Sequence, residues 1–225
     1  MVKQNVIFKK NEIIKARVFY FILALCLIYL LSNFLSSSIT DLSYLINNGF
    51  ISLDKDTLLS YLVNLVIEHQ FNFANEFLKD KTQDKLYKYA FESVLQLYIA
   101  ESKEHIREMY AVSYSMPSTT HKIYDFITLK LEETFKEYLP ECNTKEFYEF
   151  EMASAGIMRG YIINPCTMYF TMDRKVERFL QTSLRIYKVP EDKIINVINF
   201  VKKFDMEKLA QKVLDTLYEY IINRT

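Results

Sequence analysis

The chain has 225 residues, of which half are hydrophobic, and its 28 basic and 28 acidic residues give a formal net charge of zero at pH 7. It contains only 3 glycines, where ordinary usage of about 7% would give roughly 16. This shortage excludes a glycine-rich phosphate-binding loop and argues against a β-sandwich or barrel with many hairpin turns. An all-α fold is therefore predicted, with four prolines that mark breaks between long helices: Pro117, Pro140, Pro165 and Pro190.

The zero net charge hides an uneven distribution along the chain. Residues 1–17 carry a net charge of +4, because five basic residues stand against Glu12 alone. Between this basic arm and residue 54 the only charged residue is Asp41, and the body, residues 54–225, carries a net charge of −3. The pattern indicates two parts with different roles, residues 1–53 and residues 54–225.

The charge-poor segment includes eighteen consecutive uncharged residues, 18–35. This length is at the threshold for a membrane-spanning helix. The basic arm before it would keep the N-terminus in the cytoplasm and place the body outside. The alternative is a buried helix of an all-α protein, which Asn33 and the serines at the end of the segment favour. Local composition leaves both interpretations open.

Apolar residues recur at helical spacing throughout the body. Thr82 is the expected N-cap of the second helix, and Asn143 with Glu146 resembles a capping box that opens the fifth. The last helical region follows Pro190 and is expected to kink near Asp205. The pattern predicts an antiparallel helical domain with helices over about 54–79, 83–101, 103–115, 118–139, 143–163, 173–187 and 191–222.

The second half of the fifth predicted helix has one nearly bare face. Ala153, Gly156 and Gly160 are spaced i, i+3, i+7, so another helix could approach this face closely. Two interpretations are equally supported by the sequence. The face packs tightly inside one chain, or it forms a dimer interface between two copies.

No pattern of catalytic or metal-binding residues is present in the sequence. The three histidines, at 69, 105 and 121, never share a helix face at i, i+4, and neither an HExxH nor a CxxC motif occurs. Ser154 has no G-x-S-x-G context for nucleophilic catalysis. A binding protein without catalytic residues, metal or cofactor is therefore expected rather than an enzyme.

The sequence is rich in aromatic and sulfur-containing side chains, with 17 Tyr, 17 Phe and 8 Met. Such side chains at helical spacing fill a core, but they also line adaptable apolar cavities in which hydroxyl groups orient a ligand. Buried tyrosine hydroxyls need partners, which a polar cavity or a ligand would supply. The candidate ligand-binding residues are Tyr110, Tyr114, Tyr124, Met158 and Tyr161.

The body resembles the tetracycline-repressor (TetR/AcrR) family of transcriptional regulators. Residues 54–59, Asp-Lys-Asp-Thr-Leu-Leu, followed by Tyr-Leu-Val at 61–63, are similar to the start of the family's long connecting helix. The succession of helices that follows, with a small-residue helix near the end, is similar to the family's ligand-binding and dimerisation domain. Residues 10–16, Lys-Asn-Glu-Ile-Ile-Lys-Ala, resemble the opening of its first helix.

The sequence departs from the family between residues 17 and 53. Residues 38–42, Ser-Ile-Thr-Asp-Leu, resemble the start of the second helix, but the family's Gly-Val-Ser, Lys-Gly and Tyr-x-x-Phe elements do not follow. The interval nevertheless has close to the family's length. One hypothesis is that it encodes a helix-turn-helix read out of frame through compensating frameshifts, and the other is that DNA binding has been lost. Translating the interval in the other two frames tests the first.

The resemblance implies a cytoplasmic, dimeric repressor whose N-terminal helix-turn-helix binds operator DNA and is released by a small apolar or aromatic effector. The three scattered cysteines agree with a reducing compartment. Lys55 is expected to contact the DNA backbone, with Lys9, Lys10 and Lys15 as further phosphate contacts. Two alternatives remain: a membrane-anchored helical binding protein with a span at 18–35, and a TetR-like ligand-binding domain without DNA binding.

Overall fold

The computed structural model describes the backbone of residues 55–222 and the side chains from Asn64 to Tyr220, except those at 105, 118, 119, 122 and 126. The chain divides into two units between Leu58 and Leu59, and the second unit contains nearly all of the described residues. The basic arm and the charge-poor segment lie outside the described residues.

Eight α-helices follow one another in the described part of the chain, and no strand occurs among them. The predicted all-α fold is confirmed for these residues. The helices are α1 (Lys55–Leu78), α2 (Lys85–Ser102), α3 (Glu104–Ser113), α4 (Pro117–Phe135), α5 (Thr144–Ile163), α6 (Met172–Ile186), α7 (Glu191–Val201) and α8 (Met206–Ile222).

The last predicted helix is in fact two helices, because the chain breaks between α7 and α8. Lys202 caps the end of α7, and the carboxylate of Asp205 accepts a hydrogen bond from the backbone N–H of Lys208 at 3.2 Å. An aspartate in this position satisfies a free donor in the first turn of a new helix. The expected kink at Asp205 is therefore a complete break.

Two further boundaries differ from the sequence-based prediction. Asp84, not Thr82, caps α2, with its carboxylate 2.8 Å from the N–H of Leu86. A carboxylate is a strong acceptor and also favours the positive end of the helix dipole. Helix α4 ends at Phe135, four residues before the predicted end. The chain continues in turns after Phe135, whose carbonyl oxygen accepts hydrogen bonds from the N–H groups of Tyr138 and Leu139 at 2.9 and 3.1 Å.

The start of α5 follows the sequence-based prediction. The side chain of Asn143 accepts hydrogen bonds from the N–H groups of Lys145 and Glu146, at 2.9 and 3.2 Å. The Glu146 carboxylate in turn accepts from the Asn143 N–H at 2.8 Å. This reciprocal arrangement is the predicted capping box. It fixes the register of α5 and therefore the direction in which the α5 side chains point.

Helix α2 is the centre of the fold. It packs against α3, α4, α5, α6, α7 and α8, and buried side chains occupy all sides of its middle turns. A helix that is apolar on every side is stable only when it is surrounded by other helices. The bundle is therefore organised around α2, and the polar residues that α2 does carry are held inside the protein.

A buried ion pair connects α2 to α6 and to the loop before α6. The ammonium group of Lys175, 1% exposed, lies 2.6 Å from the Glu101 carboxylate and donates to the carbonyl oxygen of Asn164 at 2.6 Å. The other Glu101 oxygen accepts from the Cys166 N–H at 2.7 Å. Burial alone would raise the pKa of Glu101, but these hydrogen bonds outweigh it and hold the pKa below its ordinary value.

Candidate functional site

A cavity of about 250 Å³ lies inside the bundle. Helices α1, α2, α4 and α5 form its walls, together with Tyr114 at the end of α3. This volume lies below the usual range of about 300–1,000 Å³ for small-molecule sites, so the cavity suits a small ligand. Its apolar wall consists of Ile67, Phe71, Ile123, Ile127, Leu131 and Met158.

Most of the polar lining comes from α2 and α5. Further polar residues in the lining are Asn75 of α1, Lys85 and Lys88 at the start of α2, and Lys130, Glu133 and Thr134 of α4. On α2 the residues are Tyr89, Glu92, Ser93 and Gln96, which recur at helical spacing. On α5 the polar residues are Glu151 and Ser154, which share a buried stripe at i, i+3, i+4, i+7 with the apolar residues Ala155 and Met158. The usual apolar stripe of α5 thus carries a carboxyl group and a hydroxyl group at the positions that face the cavity.

Glu151 has an unusual environment. It is 5% exposed, and among the described residues no group donates a hydrogen bond to it or forms an ion pair with it. Burial without a compensating partner disfavours the charged form, which raises the pKa of Glu151 to about 8. The carboxyl group is therefore largely protonated at neutral pH in the unliganded protein.

Two tyrosines of the cavity wall lie within electrostatic range of this carboxyl group. Burial raises the pKa of Tyr89 to about 12, and a negative charge on Glu151 would also raise it. Burial also raises the pKa of Tyr114, with a further contribution from Glu151. Tyr114 accepts a hydrogen bond from the Gln96 side chain at 3.0 Å, and the Tyr89 hydroxyl lies 3.4 Å from that of Ser154. Both phenols stay neutral near pH 7.

The second carboxyl group of the cavity, Glu92, has a partner. The ammonium group of Lys130 donates to both Glu92 oxygens, at 3.0 and 2.9 Å, and lies 3.6 Å from the ring centroid of Phe71. Burial raises the pKa of Glu92, although the charge of Lys130 works in the opposite direction. Near the exposed surface, Lys85 pairs with Glu133 at 2.5 Å.

Two of the five predicted ligand-binding residues, Tyr114 and Met158, line the cavity. The other three pack elsewhere. Tyr110 is fully buried with no hydrogen-bond partner for its hydroxyl in the described structure, Tyr124 packs edge-on against Tyr148, and Tyr161 contacts Phe179. Ligand binding by any of the five remains a prediction.

The sequence-based prediction missed the polar residues of the cavity. Glu151 is the most informative of them, and its position within the α5 stripe that runs from Phe147 to Ile162 is the signal that could have identified it. An acidic residue at a core-facing position is uncommon and needs a partner or a function.

The small-residue face of α5 is uncovered. Ala153 and Gly156 are exposed and Gly160 is half-buried, and a Cβ atom built on either glycine would have no described neighbour within 4 Å. Met152, 51% exposed, and Ile163 lie on the same helix. Tight packing inside the described part of this chain therefore does not explain the small residues.

The side chains of the four predicted DNA-binding residues lie outside the described part of the chain. Lys55 is the first residue of α1, and the description does not extend to its side chain. Lys9, Lys10, Lys15 and the candidate span at 18–35 lie outside the described residues. Within residues 55–222, none of the helices combines the length and the apolar character needed to cross a membrane.

The chain matches no model of a known protein family, no curated protein and no solved structure.

Proposed function

We propose that this protein is a ligand-responsive transcriptional regulator, similar to the tetracycline-repressor family, whose helical body binds a small effector. The interior cavity is the observation that carries the proposal, because it joins a broad apolar wall to a few polar groups that can orient a ligand.

Helix α1 supplies the proposed connection between effector and DNA. It begins at Lys55, next in sequence to the predicted DNA-binding region, and its residues Ile67 and Phe71 line the cavity. An effector that fits only one position of α1 would favour that position and so change the geometry of the DNA-binding region. Such coupling requires the effector to bind the two states with different affinity.

DNA binding is tested by a gel-shift assay with the DNA upstream of the protein's own gene. We expect a shifted band at about 50 mM salt that weakens at about 200 mM, because phosphate contacts release counterions. Absence of a shift at low salt would contradict the regulator proposal and leave the alternative, a ligand-binding domain without DNA binding. Cell fractionation tests the membrane-anchored alternative, since the regulator should be recovered without detergent.

The regulator is proposed to act as a homodimer through the small-residue face of α5, defined by Ala153, Gly156 and Gly160. The exposure of this face and the empty space beside both glycines support the assignment. Two copies related by a twofold axis would each bury the same face. Their α5 helices could approach closely because no large side chain separates them.

Replacing Gly156 by lysine is expected to convert the dimer to a monomer. A lysine side chain would separate the two backbones and bring two like charges together, and its Cβ atom would have no described neighbour within 4 Å in its own chain. Lysine also has a higher helix propensity than glycine by about 0.7 kcal/mol, so the helix itself should not be weakened. Light scattering should give twice the chain mass of 26.8 kDa for the wild type and 26.8 kDa for the variant.

The matched control is Asn196→Lys, which places the same charge on an exposed position of α7. This variant should stay dimeric. A Gly156→Lys protein that remains a dimer would show that the interface lies elsewhere.

A further inference from the structure

The cavity contains one charged side chain whose burial nothing in the described structure compensates. Three carboxyl or ammonium side chains are buried among the described residues, and two of them are paired: Glu92 with Lys130, and Lys175 with Glu101. Glu151 is the exception. Since an isolated buried carboxyl group costs several kcal/mol relative to an apolar residue, its presence at a core-facing position calls for a partner other than the described residues.

A structural role within the protein does not account for this residue. A protonated carboxyl group that stabilised the fold would donate its hydrogen to a neighbouring acceptor, and no such hydrogen bond is made among the described residues. The nearby tyrosine hydroxyls do not supply a positive charge, and the Lys130 ammonium is held by both oxygens of Glu92. The carboxyl group therefore faces a cavity that has room for an external partner.

The surroundings of Glu151 select among the possible partners. An anionic ligand would leave Glu151 protonated and would need a cation of the cavity as its partner. Of the three lysines in the lining, however, Lys130 and Lys85 are already paired with Glu92 and Glu133, and Lys88 donates to Gln83. A cation would gain a charge-assisted hydrogen bond or ion pair with the carboxylate, and Tyr89 and Tyr114 line the same cavity with neutral hydroxyl groups that can accept a further hydrogen bond. The apolar wall formed by residues such as Ile123 and Met158 suits a hydrocarbon or aromatic body attached to the charge.

We propose that Glu151 is the counter-ion for the ammonium group of a small organic amine that binds in this cavity. The inference rests on the proposed effector-binding function and specifies the chemical class of the effector. When the amine binds, the carboxyl group gives up its proton to solvent and the ammonium takes its place as the compensating charge. The amine body lies against the apolar wall and occupies a volume of at most about 250 Å³.

Three probes of similar size and different charge test the proposal on the full-length protein: 2-phenylethylamine, 2-phenylethanol and phenylacetate. Their dissociation constants are measured by calorimetry or by ligand-detected NMR. We expect the amine to bind the wild type at least tenfold more tightly than the alcohol, and phenylacetate to bind most weakly. The Glu151→Gln variant should lose about ten- to a hundredfold in affinity for the amine and keep its affinity for the alcohol within about twofold.

The matched control is Glu149→Gln, which removes an exposed carboxylate from the same helix and should leave all three affinities unchanged. Glutamine has nearly the shape of glutamate and carries no charge, so the Glu151→Gln variant is expected to keep the fold. Circular dichroism verifies the fold before the affinities are compared. A wild type that binds the alcohol as tightly as the amine, or a variant that weakens both equally, would overturn the assignment of Glu151 while leaving an effector cavity in place.

Failure of the amine proposal and failure of the regulator proposal are distinguishable. If no probe binds the wild type, the amine inference fails, and the gel shift tests the regulator proposal independently of it. If the amine binds through Glu151 but the gel shift is absent, the inference stands and only the DNA-binding half of the proposed function is wrong.

Discussion

Replacing Glu101 by glutamine is expected to lower the free energy of unfolding by about 3–5 kcal/mol. Lys175 is 1% exposed, and its ammonium group would lose its counter-charge while it remained buried. Glutamine keeps an oxygen that can still accept from the Cys166 N–H, but its amide NH2 group then faces Lys175 and cannot accept from the ammonium, so the variant removes both the counter-charge and this hydrogen bond. Urea unfolding followed by circular dichroism at pH 7 measures the loss.

A double-mutant cycle with Lys175→Met separates the ion pair from other effects. The variant that carries both substitutions should be more stable than the sum of the single losses predicts, because it contains no unpaired buried charge.

The stability that Glu101 contributes also depends on pH, because its carboxyl group must be ionised to pair with Lys175. The pKa of Glu101 lies below its ordinary value of 4.5, so the stabilisation is complete above that pH and is lost as the pH falls through the lower, folded-state pKa. Additive losses in the cycle would contradict this account.

The Glu151→Gln variant should be more stable than the wild type at neutral and alkaline pH and equally stable near pH 4. The pKa of Glu151 is about 8 in the folded protein and its ordinary value is 4.5. Between these values the unfolded chain releases a proton that the folded chain retains, so wild-type stability falls by about 1.4 kcal/mol per pH unit. Glutamine does not ionise, and the gain at pH 7 should be about 3 kcal/mol.

Urea unfolding at pH 4, 5, 6, 7 and 8 measures the difference between the two proteins. Of the groups that face Glu151, the tyrosines have raised pKa values and do not titrate in this range, and Glu92 and Lys130 compensate each other. They are also common to both proteins, so their effects cancel in the comparison. The Glu149→Gln control should follow the wild type, and parallel profiles for wild type and Glu151→Gln would contradict the predicted titration.

The helices could be predicted because their signals are local. The spacing of apolar residues and the Asn143–Glu146 capping box are properties of a few adjacent residues, and both give the start of α5 correctly. The break before α8 was harder to predict. The apolar periodicity continues through it, and only the hydrogen bond from Lys208 to Asp205 shows that a new helix begins there.

The cavity depends on packing and was only partly predictable. The abundance of aromatic and sulfur-containing residues predicted a cavity lined by such side chains, and two of the predicted residues, Tyr114 and Met158, do line the cavity. Glu151 shares the helical stripe of Phe147 and Met158, and the exposed Glu149 does not, but this spacing alone does not show that a carboxyl group on the stripe is buried without a partner. Which of these carboxyl groups is buried depends on the side of α5 that α2 and α4 cover, and that choice involves residues distant along the chain.

The enclosure of α2 by six other helices also determines how this part of the protein opens to solvent. Amide hydrogens in the middle of α2 have no local route to water, so they should exchange with deuterium only when the whole bundle unfolds. Amides on the exposed face of α5 can exchange through smaller fluctuations. The exchange rates of the α2 amides therefore report the free energy of global unfolding. Slower exchange in other helices when an effector or a second subunit binds can be compared with these rates.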